Sequence, residues 1–371
     1  MTHVDTAYVE ATPEYQAATE GAALVDRSDR SLLTVTGRAP AQMLTGILSG
    51  TMPPDPEPVG QGLERGRAFY STILTPKGKV VTDLRVFRLE KGAEGAHLMD
   101  VPAAGLAPLE DHLKRYLPPR MARAREPEES LGLLSVVGPG GARLVSEHVL
   151  SGLVGEEELE QLAEGEERIL TREGPVGVRV IRNGDVHPLA LDVIATRGMI
   201  AELWGRLEGA GATGAGKALW STLRMEKGRP AFGVELAADD LPPEAGVTSR
   251  AVDHEKGCYT GQEVIVRVRD RGRVNRHLRG LFLGSRPLPE VGTPLFIEGR
   301  ERTGGEIRSV TLSPRFGQGI ALGYVRREAE PPTAVHLGSP DGPEVQLRGL
   351  TDDGWDLVDG DPGGSGPAEA H

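Results

Sequence analysis

The sequence predicts an α+β protein: two related split β-α-β-like units followed by a small C-terminal β-barrel. Three observations lead there. Leu33-Thr34-Val35-Thr36-Gly37 returns as Leu134-Ser135-Val136-Val137-Gly138, an internal echo about 101 residues apart. Each copy is followed by a hairpin signal and a second helix, and beyond Arg279 the pattern changes to short β-like runs separated by Gly and Pro.

Taken in order, each echo run alternates as a strand, stops at Gly and passes into a helix. Ala41, Met43 and Leu44 mark that helix in the first copy, and Ala142, Leu144 and Val145 in the second. The first hairpin pairs Phe69 to Leu74 with Val80 to Leu89 around Thr75-Pro76-Lys77-Gly78. The second pairs Val176 to Ile181 with Val186 to Ile194 around Arg182-Asn183-Gly184-Asp185, where Asn-Gly predicts a type I′ turn. Leu106, Leu109, Leu113, Tyr116 and Leu117 give a helix face that Pro118-Pro119 ends, and Met199 to Leu207 is its counterpart. Repeated strand, helix, hairpin and helix fit helices packed on one face of an antiparallel sheet. Runs at Leu281 to Leu283, Leu295 to Ile297, Ile307 to Leu312, Ile320 to Val325 and Val345 to Leu350 predict a small barrel or sandwich. The expected divisions are 1–125, 126–275 with the cysteine motif, 276–358 for the barrel, and a disordered Gly-, Pro- and acid-rich tail at 359–371.

With 371 residues the chain suits two or three domains. A formal charge of −12 argues against broad binding to nucleic acid or anionic membranes. One cysteine excludes an intramolecular disulfide and cannot supply the ligands of a zinc or iron–sulfur site alone, so no metal site is expected. No signal-like start and no apolar run of membrane-spanning length point to the cytoplasm. Gly211 to Lys217 fits the spacing of a phosphate-binding loop, but Ala218 stands where Ser or Thr is needed; it reads as a helix-ending turn.

The chemistry-bearing stretch is Lys256-Gly257-Cys258-Tyr259-Thr260-Gly261-Gln262-Glu263, read as a loop entering a strand. A lysine beside a cysteine favours thiolate, and glycines permit close approach of a ligand; the alternative is a small buried core cysteine. Beyond it, period-two spacing would put Arg267 and Arg269 on one strand face, as a carboxylate clamp, an RNA contact or a solvated face.

Lys256 to Glu263 resembles the K-G-C-Y-x-G-Q-E signature of the YgfZ-type folate-binding proteins, relatives of the glycine-cleavage aminomethyltransferase. Leu223-Arg224-Met225-Glu226-Lys227-Gly228-Arg229-Pro230 is similar to that family's R-x-E-x-G-x-P segment. The resemblance implies a folate groove formed by the two units, tetrahydrofolate or another reduced folate as ligand, and a supporting role in iron–sulfur cluster assembly or repair through Cys258. Iron–sulfur enzymes or cluster carrier proteins would be the partners. It also implies Glu226 at the pterin end, against the plainer role of a helix-surface carboxylate. Lys256, Gly257, Tyr259, Gln262, Arg267 and Arg269 would take part in folate binding. Asp83 falls where aminomethyltransferases carry an Asp-Asp pair, with Thr82 in the other place; it is either a site acid or a strand-end residue facing solvent. Leu48-Ser49-Gly50-Thr51 departs from the L-T-N-D of relatives. The alternative function is a folate-dependent aminomethyltransferase doing one-carbon transfer of the glycine-cleavage type, with an Asp acid and a lipoyl carrier protein as substrate.

Overall fold

The computed structural model describes residues 11–362 except 93, 172–175 and 359. The first sheet has five antiparallel strands in the order Phe69–Leu74, Val80–Arg88, His97–Pro102, Arg30–Thr36, Arg123–Arg125. The second repeats that order with Glu166–Leu170, Val178–Asn183, Ala190–Thr196 and Leu131–Val137, then adds Ala23–Asp26 and its parallel neighbour Thr213–Ala215. The echo strands Arg30–Thr36 and Leu131–Val137 thus hold equivalent places. Each leads into a helix, Pro40–Ile47 or Gly141–His148, and each unit ends in a longer one, Ala103–Tyr116 or Arg197–Gly209.

Each unit's own sheet takes three strands from between its helices, where the sequence showed two. Glu166–Leu170 was hidden by charge: it reads Glu-Glu-Arg-Ile-Leu, yet Glu167 is fully buried because Arg179 on the next strand meets it at 2.8 Å. The Asn183-Gly184 turn is not type I′. Neither residue has positive φ, and the strands stay apart from Asn183 to Ala190, enclosing a six-residue loop. Within it Asn183 Oδ1 accepts from Asp185 N at 2.7 Å, so the asparagine turns its own backbone and leaves the loop wide.

The sheets are not contiguous stretches of chain. Ala23–Asp26, Glu57–Gly60 and Leu63–Arg67 all come from before residue 126 but pair within the second sheet. A division at residue 125 therefore cuts through shared structure. The two sheets meet through Phe87 and Leu98 of the first and Leu131, Leu133, Ile181 and Ile194 of the second. Beside this apolar contact lies a buried ionic one. Arg85 bonds Asp100 and, at 2.6 Å, Asp192 of the second sheet; Arg30 also bonds Asp100, at 2.7 Å.

The C-terminal unit is a closed six-stranded barrel. Arg276–Gly284, Gln318–Arg326, Thr303–Ser313, Pro294–Ile297, Thr333–Leu337 and Glu344–Thr351 follow one another, and the last pairs back with the first. Closure leaves no open sheet edge, which a sandwich would not achieve. Thr333–Leu337 is the strand the sequence did not show; Pro331-Pro332 before it and its half-exposed residues weaken the pattern. Within the predicted tail, Asp361 receives two bonds of 2.6 Å from Arg348, so the described part is held to the barrel; residues 363–371 lie outside the described residues.

Replacing Arg85 with Met would leave Asp100 and Asp192 buried without their shared cation. Removing one member of such a buried group typically costs about 3 to 5 kcal/mol, so Arg85→Met should lower the denaturant midpoint sharply. An unchanged midpoint would mean the sheets are held by apolar contact alone.

Candidate functional site

A cavity of about 310 Å³ opens where the two sheets, the helix Lys217–Glu226 and the segment Arg229–Val234 converge. The helix contributes Lys217, Trp220, Ser221 and Arg224, spaced i, i+3, i+4, i+7 and therefore on one face. Trp220 is held flat by Arg27, whose guanidinium lies 3.8 Å from the ring centre. Phe232 and the exposed Val234 complete an apolar side.

Asp83 faces this cavity from the first sheet. It is buried, its Oδ2 accepts from the Tyr70 hydroxyl at 2.9 Å, and its Oδ1 has no partner among the described residues. Burial raises its pKa above the ordinary carboxylate value, against the opposing pull of the Arg30 charge and the Tyr70 bond. Burial also lifts the Tyr70 hydroxyl well above the usual phenol value, and the neighbouring Asp83 charge adds to the rise. Arg250 lies 4.7 Å from the centre of the Tyr70 ring and bonds Asp185 at 2.8 Å, holding the wide loop of the second unit against the site. Arg250 is in turn paired with Glu164.

Of the residues expected from the sequence, only Asp83 lines this cavity. It is not a solvent-facing strand end. Glu226 is elsewhere because it follows Trp220 by six positions, which turns it about 240° around the helix. It is not a surface carboxylate, and it lines not this cavity but a separate one of about 750 Å³ with Tyr15, His187 and Arg315. Buried among three elements, it accepts from Tyr15 at 2.9 Å and from Ser313 at 2.5 Å.

The cysteine loop enters a helix, Gln262–Arg271, rather than a strand. Gly261 caps it at φ +85°, and a Cβ there would stand 2.6 Å from the Thr75 carbonyl, so the loop lies directly on the first hairpin turn. The alternation of valines and arginines misled because Ile265 is the one buried residue of this helix. Two positions apart, Arg267 and Arg269 diverge by about 200°. Both are exposed, Arg267 paired with Glu263 and Arg269 with Asp270, and they form no common clamp. Cys258 and Gly257 are exposed, Tyr259 is buried, and Gln262 opens the helix. Cys258 is therefore not a core residue. Lys256 bonds the carbonyls of Leu48 and Gly50 at 2.8 and 2.7 Å, and burial lowers its pKa to about 8. It pins the segment that departs from L-T-N-D, while Ser49 fills the gap below by bonding Ala251 O at 2.7 Å.

The residues sequence reasoning missed are Tyr70, Arg85, Asp185, Lys217, Trp220 and Arg250. Lys217 was passed over with the phosphate-loop decoy; the stretch is not just a helix-ending turn, since it holds the short strand Thr213–Ala215, and Lys217 begins the cavity-lining helix.

The model of the GCVT N-terminal domain matches residues 5–256, and that of the glycine cleavage T-protein C-terminal barrel domain matches residues 276–346. The chain belongs to the glycine cleavage T-protein family. An aminomethyltransferase of Rubrobacter xylanophilus is 31% identical over 72% of this chain and 68% of its own. One of Streptomyces avermitilis is 30% identical over 91% and 85%. The fold is that of the glycine cleavage system aminomethyltransferase T of Bartonella henselae, with a TM-score of 0.73 at 21% identity over 90% of this chain and 86% of that one. The family likeness thus includes both α+β units and the barrel. Among the described residues no helix is long and apolar enough to cross a membrane.

The strut at Glu226 gives a pH test. Burial raises the Glu226 pKa above its ordinary 4.5, so its contribution to stability is complete below that pH and is lost as pH rises through the folded-state value. Glu226→Gln removes this loss. Its stability relative to the native chain should therefore improve steadily as chemical denaturation is repeated from pH 4 upward, with ligand binding in the central cavity unchanged; a pH-independent difference would place the ionisation elsewhere.

Proposed function

We propose that this chain is a reduced-folate-dependent transferase of the aminomethyltransferase type, with the cavity around Asp83 as its site. The observation that carries this reading is the unpartnered Oδ1 of a buried aspartate beside a stacked tryptophan. A reduced pterin suits those features: its N–H donors match the free carboxylate oxygen, and Trp220 and Phe232 offer apolar surface to its ring. When bound, the folate supplies the nitrogen atoms that accept a one-carbon unit. Asp83 then holds or moves a proton at the reacting amine, Tyr70 fixes the carboxylate's orientation, and the Arg250–Asp185 pair restricts water on that side. The family membership and the aminomethyltransferase relatives support the same choice.

A second reading is favoured by the exposure of Cys258 outside the cavity on a loop pinned by Lys256. A thiol so placed can meet a macromolecule, and with the YgfZ-like motif it supports an accessory role toward iron–sulfur proteins, whose ligands would complete any cluster.

Anaerobic calorimetric titration with tetrahydrofolate tests the first reading, and saturable binding is expected. Asp83→Asn should cut one-carbon transfer by at least about a hundredfold, as loss of a general acid–base group does. Tyr70→Phe removes the bond that favours the Asp83 carboxylate, so the ionisation limb of kcat/KM should move to higher pH. An unmoved limb would take Asp83 out of the titration. Cys258→Ser should leave transfer intact; if transfer is absent throughout and only Cys258→Ser fails to restore cluster-dependent enzymes in cells, the second reading replaces the first.

A further inference from the structure

Behind Tyr70 lies a second compartment of about 180 Å³, which shares Tyr70, Arg85, Asn183, Asp185 and Arg250 with the main cavity. Its own residues include Arg67, Glu164 and Arg182. Charge is not balanced there. Arg85 is committed to Asp100 and Asp192, and Arg250 takes up both Glu164 and Asp185. Arg67 and Arg182 are left without an ion-pair partner among the described residues, and Nη1 of Arg182 is buried with no hydrogen-bond acceptor.

A buried guanidinium nitrogen without an acceptor is costly, because it gives up water without gaining a partner. The fold nonetheless holds it in place. Arg182 O accepts from Gly165 N at 3.0 Å, and Gly165 O accepts from Ala68 N at 2.8 Å, so the chain beside it is tied on both sides. Gly165 has φ +80°, and a Cβ there would come within 2.2 Å of Ala68 O. The wall is therefore fixed by backbone contacts that no side chain could enter.

We propose that this compartment is an anion subsite in which Arg182 receives a carboxylate. A singly charged group fits better than a phosphate, because Glu164 and Asp185 stand at the same wall and would repel a second negative charge. The volume equals about six waters of bulk liquid, enough for a small acid or for the carboxylate end of a longer ligand. Two sources share that chemistry: a separate small carboxylic acid acting as co-substrate, or the glutamate tail of the folate. The second source rests on the folate reading; the subsite itself rests on Arg182.

The test titrates full-length protein with 13C-acetate by NMR, and with tetrahydrofolate and 6-methyltetrahydropterin, which lacks the tail, by calorimetry. Arg182→Met is compared with the native chain. The expected loss is about tenfold or more, as for a charge-assisted hydrogen bond. A loss for acetate with both pterins unaffected identifies a separate acid; a loss for tetrahydrofolate but not for 6-methyltetrahydropterin identifies the tail. Equal binding of acetate and tetrahydrofolate by both proteins overturns the subsite and means that water satisfies Arg182. Failure of the native chain to bind either pterin would defeat the folate reading and leave the acetate result to judge Arg182. Should Arg182→Met not fold, phenylglyoxal labelling of Arg182 in the native chain, read by mass spectrometry, decides instead. Protection by acetate or tetrahydrofolate supports the subsite, and labelling unaffected by either rejects it.

Discussion

Everything that positions the site depends on one cation held between two buried carboxylates. Arg85 stands between Asp100 of its own sheet and Asp192 of the other, with both carboxylates wholly buried. Each aspartate has further donors: Arg30 serves Asp100, while Ser135 and Asn183 serve Asp192. Opposed charge alone would not offset the desolvation of three ions, but a network in which each carboxylate accepts several bonds does. The arginines hold the Asp100 pKa below its ordinary value despite burial, so the pairing stays ionised.

This network also sets the register between the sheets. Asp192 and Asn183 lie on neighbouring strands of the second unit, and their contact fixes the base of the loop that carries Asp185. Arg85 lies two residues beyond Asp83 on the same strand, so both side chains point to the same face. Locking Arg85 to the second sheet therefore aims Asp83 into the space between the units. The aspartate with a free oxygen and the loop that faces it are placed by the same bonds.

The barrel acts from outside. Trp355 on the short strand after it donates to Met225 O at 2.8 Å, and Ser313 donates to Glu226, so the barrel grips the C-terminal end of the cavity helix. Tyr15 grips the same carboxylate from the N-terminal helix. The cysteine loop occupies a third position, clamped between the first hairpin turn and the 48–50 segment. The site acid and the exposed thiol are therefore carried by separate supports. That separation is why the cavity and Cys258 lead to different functional readings.

What the sequence determined by itself was local and periodic. The repeat, the helices with one apolar face, the first hairpin and five of the six barrel strands follow from spacing and turn residues, because those patterns depend on near neighbours in the chain. Asp83 was legible only as a position in a familiar motif, and its burial was not. Tertiary structure decided the rest. Glu166–Leu170 is a strand because Arg179 neutralises Glu167 from across the sheet, and Gln262–Arg271 is a helix because Ile265 is buried and Gly261 lies against the hairpin turn. Glu226 became a strut, and Arg182 was left with one buried nitrogen lacking an acceptor, through partners, present or missing, far away in sequence. Charge placement of this kind has no period, since its energy depends on which distant groups share the low-dielectric interior, and only the folded chain brings them together.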